Sequence, residues 1–286
     1  MSGAGPATRG TTGFRLRRHG PLATGLTLIL LLAGVALVSL VWTPFPPSKM
    51  QIMQKLKPPF EVGLLGTDQY GRDVLSMLMA GAWNSLSIAL FAVALGAGIG
   101  VVIGLAVAAW RGVLETVTMR GCDVIFAVPP ILSAMMLGAF IGPGRWTAIF
   151  AIATFMVPVF TRITVGAARQ IWTRDFILAA RAAGKGPLLI SWQHVLPNIV
   201  GPIIVQVTIQ LGLAILTEAG LSFLGLGLPP PAPSWGRMLA ESQTFLRAAP
   251  WLAVLPGLAV ALSVLGFNLI GDGLRDRLDP RQRGRA

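Results

Sequence analysis

Six stretches of this sequence run for roughly twenty residues each with almost no charge, and no other feature limits the fold so severely. They are Leu22–Trp42, Ser85–Trp110, Val124–Gly144, Trp146–Gly166, Ile199–Thr217 and Ala248–Gly271. About 20 apolar residues in a helix cross the hydrocarbon layer of a bilayer, where only helices and closed barrels satisfy their own backbone. Runs of this length read as helices, so the fold class is all-α: a polytopic membrane protein with six transmembrane helices. Composition agrees, with 54% of the 286 residues apolar and only 12% charged, about half the charge of ordinary soluble domains. The mean hydropathy of +0.71 excludes a soluble enzyme built on one large core. Cys122 is the only cysteine, which excludes a disulfide scaffold. That thiol with His19 and His194 is too small a set for a protein-built zinc or haem site, so no metal site is expected.

The first run follows Arg15, Arg17 and Arg18, as a signal peptide would. It is longer than the usual 7–15-residue apolar region, and Val41-Trp42-Thr43-Pro44 offers no small-x-small cleavage site. It reads as an uncleaved first span. Arg162 interrupts the fourth run near one end, where its side chain can snorkel to the interface. Only Gly142-Pro143-Gly144-Arg145 separates the third run from the fourth. The organisation is then a tail at 1–21, the first span at 22–42, an outer loop at 43–81, a five-span core at 82–272 containing a long loop at 167–198, and a tail at 273–286.

The net charge of +12 sorts by side. If both termini are cytoplasmic, that side carries sixteen basic residues: arginines 9, 15, 17, 18, 111, 120, 162, 169, 174, 181, 275, 277, 281, 283 and 285, with Lys185. The opposite side carries seven, namely Lys49, Lys55, Lys57, Arg72, Arg145, Arg237 and Arg247. The positive-inside rule places both termini and the 167–198 loop in the cytoplasm. The excess is thereby explained by orientation and lipid, and no nucleic-acid partner is expected.

Within the spans, Gly96, Gly100 and Gly104 repeat at four-residue spacing and clear one helix face for a close neighbour. Pro129-Pro130, Pro158, Pro202 and Pro256 put proline into each of the last four spans, where it removes backbone donors and bends helices. No catalytic set is visible. Gly220-Leu221-Ser222-Phe223 has the look of an intramembrane serine nucleophile, but no span carries a histidine base. Asp123, Glu218 and Asp272 sit at span ends rather than at the midplane, which argues against self-sufficient secondary transport; a self-contained secondary carrier or channel is the alternative from a different class. The chain also lacks a G-x-x-x-x-G-K-[ST] phosphate loop. Any uphill transport must draw its energy from another subunit.

The loop at 167–198 is long for a connection and carries a helical pattern over Arg174–Lys185. Phe176, Ala179, Ala180 and Ala183 form an apolar stripe of mostly small residues, with Arg174, Arg181 and Lys185 on another face. Gly184 supplies a helix stop. Alanines anchor weakly in lipid and suit insertion into a protein groove.

Ala179-Ala180-x3-Gly184-x11-Leu196-Pro197 resembles the cytoplasmic EAA loop of the integral membrane subunits of binding-protein-dependent ABC importers, with Leu178 in place of the motif's Glu and His194 in place of its usual Ile. The segment from Leu65 to Ser76, containing Gly66-Thr67-Asp68 and Gly71-Arg72-Asp73, is similar to one in dipeptide, oligopeptide and nickel permeases. So are Glu218–Gly227 with Pro233-Ser234-Trp235-Gly236, and Phe267–Pro280. The four motifs in order resemble the second, C-type permease of such a pair.

That resemblance implies a type I ABC importer permease fold in a bacterial inner (cytoplasmic) membrane. The chain would be half of the path for peptides, or for nickel or a metal–chelator complex, and not itself an enzyme. Its partners would be a second homologous permease, two ATPase subunits that bind ATP and magnesium, an extracytoplasmic solute-binding protein and membrane lipid. It assigns ATPase docking to Phe176, Ala179, Ala180, Arg181, Ala183, Gly184, Leu196 and Pro197. Thr67, Asp68, Arg72, Asp73, Glu218 and Trp235 are candidates for extracytoplasmic partner or gate contacts. Thr67-Asp68 also suits a simple helix cap, with Arg72 and Asp73 paired locally.

Overall fold

In the computed structural model, which describes residues 12–278, ordered structure is helical throughout apart from one isolated bridge between Thr67 and Asp73. The helices are α1 (Thr12–Val38), α2 (Val74–Trp110), α3 (Val113–Ala127), α4 (Pro130–Ile141), α5 (Arg145–Trp172), α6 (Asp175–Ala182), α7 (Pro187–Ile190), α8 (Leu196–Phe223), α9 (Trp235–Ser242) and α10 (Trp251–Leu278). A π-helical stretch, Ser191–Val195, joins α7 to α8 without a break. Five helices are long and apolar enough to cross a membrane: α1 from Gly20, α2, α5, the continuous Pro187–Phe223 helix, and α10.

The third run departs from expectation. Val124–Gly144 does not form one straight span; α3 and α4 meet at 87°. The cause is local. A residue before proline is pushed out of the helical region, and proline donates no hydrogen bond. Val128 and Pro129, each followed by a proline, adopt extended backbone with ψ of 124° and 134°. The helices also overrun the apolar stretches. α2 starts at Val74, where the Asp73 side chain accepts from the Ser76 backbone N–H. α5 continues to Trp172, and the next membrane-crossing helix begins at Pro187. The long loop at 167–198 therefore contracts to a connection between Trp172 and Pro187 that contains α6. Charge does not end α5, because Arg162 and Arg169 pair with Asp123 and Glu115 on α3.

α2 and α5 form the central seam, and α8 packs on both. A Cβ on Gly100 would stand 2.6 Å from the Val157 carbonyl oxygen, and one on Gly104 2.6 Å from Thr164 Cβ. Gly96 meets Met156 in the same way. Only hydrogen fits at these three positions, so the backbones of α2 and α5 approach closely along the whole glycine face. α1 lies against α10, where a Cβ on Gly25 would stand 2.7 Å from the Gly266 oxygen. Leu22 faces Gly273, and Gly201 faces Leu278. The start of α1, the end of α10 and the start of α8 are therefore at one end of the bundle.

The seam makes a stability prediction. Gly100→Leu forces a side chain into the Val157 backbone, and overpacking of this kind costs about 1–3 kcal/mol. Gly98 has nothing within 4 Å of its Cβ position. Thermal unfolding in detergent should show a clear loss for Gly100→Leu and little change for Gly98→Leu.

Candidate functional site

The residues singled out from the sequence gather at the two ends of α2, which at 37 residues is about 55 Å long.

The first end is a cap made from the segment after α1 and from α9. The Lys57 N–H donates to Thr67 Oγ1 at 3.0 Å, and Thr67 donates to the Gln54 carbonyl. Asp68 Oδ1 accepts the backbone N–H of Tyr70 (2.9 Å) and of Arg72 (2.8 Å). Its Oδ2 accepts from Arg72 Nε at 2.6 Å. The other side of the guanidinium, Nη2, donates to Glu241 Oε2 at 2.6 Å, and Glu241 Oε1 accepts from Arg237 at 2.8 Å. Gly71 has φ +73° and lies against the Gln51 backbone, so glycine alone fits that turn. Burial works against the Arg72 charge, yet Asp68 and Glu241 outweigh it and raise the guanidinium above its ordinary pKa. Arg72 is 5% exposed; it is a charged rivet between the GTDQYGRD segment and α9.

The same end is pinned in three more places. Asp73 Oδ2 accepts from Ser76 N (2.8 Å) and Ser76 Oγ (2.6 Å), and Ser76 Oγ accepts from the Phe45 N–H at 3.0 Å. Trp235, 1% exposed, donates its indole N–H to the Leu78 carbonyl at 3.2 Å and its backbone N–H to Ser85 Oγ at 3.3 Å. Arg145 donates to Asn84 Oδ1 (2.6 Å) and Ser87 Oγ (2.9 Å), which fixes the Gly142–Arg145 turn to α2.

Glu218 lies within the last two turns of α8, beside α9. It is 1% exposed, accepts from Ser222 Oγ at 2.7 Å on Oε1, and has no hydrogen-bond partner for Oε2 among the described residues. Thr67, Asp68, Arg72, Asp73, Glu218 and Trp235 are thus all buried within the chain. Their side chains build the cap instead of presenting a surface. The cap of α2 falls to Asp73 rather than to Thr67-Asp68.

The second end carries α6. Ile177 and Ala180 turn inward onto Leu105 and Ala108 of α2, Ala168 and Trp172 of α5, and Ile190, Val195 and Ile199 of the α8 stem. Phe176, Leu178, Ala179, Arg181 and Ala183 are exposed. The apolar stripe read from the sequence is therefore split. Ala180 is an anchor, and Ile177 is the anchor that the small-residue pattern missed. Arg181 lies over the Trp172 ring at 5.0 Å. Gly184, at φ +77°, closes α6: its N–H reaches the Arg181 carbonyl (2.9 Å), and that of Lys185 reaches the Ala180 carbonyl (3.1 Å). Lys185 Nζ is 3.1 Å from Gln193 Oε1 and 3.1 Å from His194 Nε2, and the His194 ring stands edge-on to Phe176. These contacts fix the angle between α6 and the α8 stem. Leu196 is half-buried and Pro197 exposed on that stem. Leu188 and Trp192 add 63% and 67% exposed apolar side chains beside α6.

Sequence reasoning missed Glu241, Asn84 and Ile177. Arg237 and Glu241 at four-residue spacing on one short helix were the available signal for the first. Asn84 and Arg145 are 61 residues apart and carry no local pattern.

Among the described residues, no cluster of three His, Cys, Asp or Glu is placed to hold a metal. Long apolar helices, a riveted cap and a short helix held out at the opposite end define a polytopic helical membrane transport subunit. Residues 100–284 match the family described as binding-protein-dependent transport system inner membrane component, and the chain belongs to that family. The di/tripeptide transport system permease protein of Pseudomonas aeruginosa is 41% identical over 268 residues, covering 92% of this chain and 88% of that protein. The glutathione transport system permease protein of Pectobacterium atrosepticum is 39% identical over 267 residues, covering 93% and 88%. A chain of the methionine ABC transporter MetNI, solved in inward-facing conformations, shares the fold with a TM-score of 0.55 at 20% identity, covering 69% of this chain and 96% of that one.

Replacing Arg72 by Gln leaves Asp68 buried without its counter-charge, and breaking such a pair costs about 3–5 kcal/mol. Thermal unfolding should show that loss for Arg72→Gln. Glu241→Gln, which faces solvent more, should cost less, and the two should be strongly non-additive in a double-mutant cycle.

Proposed function

We propose that this chain is one of two homologous permease subunits of an ATP-driven importer that carries short peptides across the cytoplasmic membrane. The reading of the cargo is supported by relatives that are named for di/tripeptide and glutathione transport at 39–41% identity over most of the chain. The reading of the energy source is supported by one observation above the rest. α6 is anchored by Ile177 and Ala180 to three helices of the bundle while Phe176, Leu178, Ala179 and Ala183 stay exposed. A helix with one face locked into the bundle and the other unpartnered is built to pass force from outside to the spans.

The end bearing α6 also holds Arg162, Arg169, Arg174, Arg181 and Lys185, and the positive-inside rule makes it the cytoplasmic end. The start of the first span and the end of α10 lie there too, so both termini are cytoplasmic and the cap faces outward. Two ATPase subunits, which carry ATP and magnesium, receive α6 and its counterpart on the partner permease. A solute-binding protein delivers the peptide to the capped side. When the ATPases close, α6 moves. The shared cluster under Ile177 carries that motion into α2, α5 and α8, and the path between the two permeases opens to one side at a time. Leu178 replaces the family's acidic residue, so the contact it makes with the ATPase is apolar.

The exposed and anchored faces of α6 predict different failures. Phe176→Asp with Ala179→Asp should leave folding intact and reduce binding-protein-stimulated ATP hydrolysis in the reconstituted assembly by about tenfold or more. Ala180→Asp should instead lower the melting temperature, because it buries a carboxylate in an apolar cluster. Full stimulation in the Phe176→Asp/Ala179→Asp assembly would remove α6 as the coupling element.

A further inference from the structure

α8 packs against both α5 and α10, and near its start it offers little to fill the space between them. Gly201 has no side chain and Pro202 only a compact ring. The result is a groove of about 350 Å³ with Ile163 on the α5 side, Val205 and Ile209 along the α8 floor, and Leu278 on the α10 side. Its only polar lining groups are Gln206 and Arg275. From Gly201 to Ile209 the groove follows α8 for about 12 Å, running from the rim of the bundle into the span. Arg275 sits at the rim, near the end of α10 and beyond the apolar stretch that ends before Asp272. It is exposed and has no ion-pair partner among the described residues.

We propose that this groove is a binding site for one anionic phospholipid. The phosphate pairs with the Arg275 guanidinium at the interface, an acyl chain lies along Val205 and Ile209, and the Gln206 amide donates to an ester carbonyl between them. The polarity of the groove runs in the same sense as that of a lipid: charge at the membrane surface, one amide at glycerol depth, hydrocarbon below. Its volume lies at the lower end of small-ligand sites, enough for part of one acyl chain. A peptide is a poorer occupant. Each peptide unit brings a donor and an acceptor that must be satisfied when buried, and the aliphatic walls supply only the Gln206 amide. The site joins the stem of α8, which carries α6, to α10, so the bound lipid braces the end of the bundle that receives force. The assignment of a lipid depends on the membrane fold and not on the identity of the imported solute.

The test uses the full-length chain, purified in mild detergent with the subunits that accompany it, stripped of lipid and then offered phosphatidylglycerol, phosphatidylcholine or trialanine. Native mass spectrometry should count one tightly held phosphatidylglycerol per copy of the chain, about tenfold preferred over phosphatidylcholine, with no retained trialanine. Arg275→Gln should remove the preference, and Val205→Trp, which fills the floor, should remove retention of both lipids. A photoactivatable phosphatidylglycerol added to the unmodified protein should label the 201–209 and 275–278 segments, which keeps the test valid if a variant fails to fold. Equal retention of the two lipids, undiminished phosphatidylglycerol binding by Arg275→Gln, labelling elsewhere, or trialanine held in its place would each overturn the assignment.

Discussion

The close contact between α2 and α5 is the constraint on which the rest of the molecule depends. In a bilayer the lipid tails are as apolar as the helices, so apolar side chains alone give two spans little reason to prefer each other. Association has to come from fit, and three glycines in register let backbones meet where side chains would hold them apart. Each end of that seam then carries one functional feature. At the capped end Arg145 on α5 reaches Asn84 and Ser87 on α2. At the other end Ala168 and Trp172 on α5 join Leu105 and Ala108 on α2 to make the seat of α6. Two closely packed helices, α2 of about 55 Å and α5 of about 42 Å, connect them.

The two ends use opposite physics. The cap is polar and wet-facing, and its order comes from charge: Asp68, Arg72, Glu241 and Arg237 form a chain of ion pairs across two segments that are 169 residues apart at the Arg72–Glu241 link. Burial makes that chain expensive to break and fixes the geometry of α9 over α2. The seat of α6 is apolar, and its order comes from shape. Ile177, completely buried, plugs the gap between α2, α5 and the α8 stem. Ion pairs lock a position, whereas an apolar seat transmits a push without specifying a single bonded state. That difference suits a molecule held fixed on one side of the membrane and moved from the other.

The spans were legible because hydrocarbon demands long uncharged runs, and the glycine face of α2 was legible because four-residue spacing defines a helix side. The stop at Gly184 followed from chemistry that only a left-handed residue satisfies. Other features depended on contacts between distant parts of the chain. Nothing local shows that Arg72 turns inward to meet Glu241, so a charged residue in an outer loop reads as surface when it is buried. Nothing local separates Ala180 from Ala179; which alanine faces the bundle is settled by Ile177 and by the bend at Gly184. The break at Pro129-Pro130 could be read as a bend in a span, but neither its 87° angle nor the pairing of Asp123 and Glu115 on α3 with Arg162 and Arg169 on α5 carries a local signal. Hydropathy marks where a helix can cross. Pairing decides where it begins and ends.

In the proposed function, separate ATPases drive this permease through α6. The direct measurement is peptide uptake into vesicles holding the full assembly, with binding protein on the capped side and magnesium-ATP supplied only on the side of α6. Uptake that requires ATP on that side, and that no proton or sodium gradient can replace, is the predicted result. Gradient-driven uptake by this chain without ATPase subunits would contradict it.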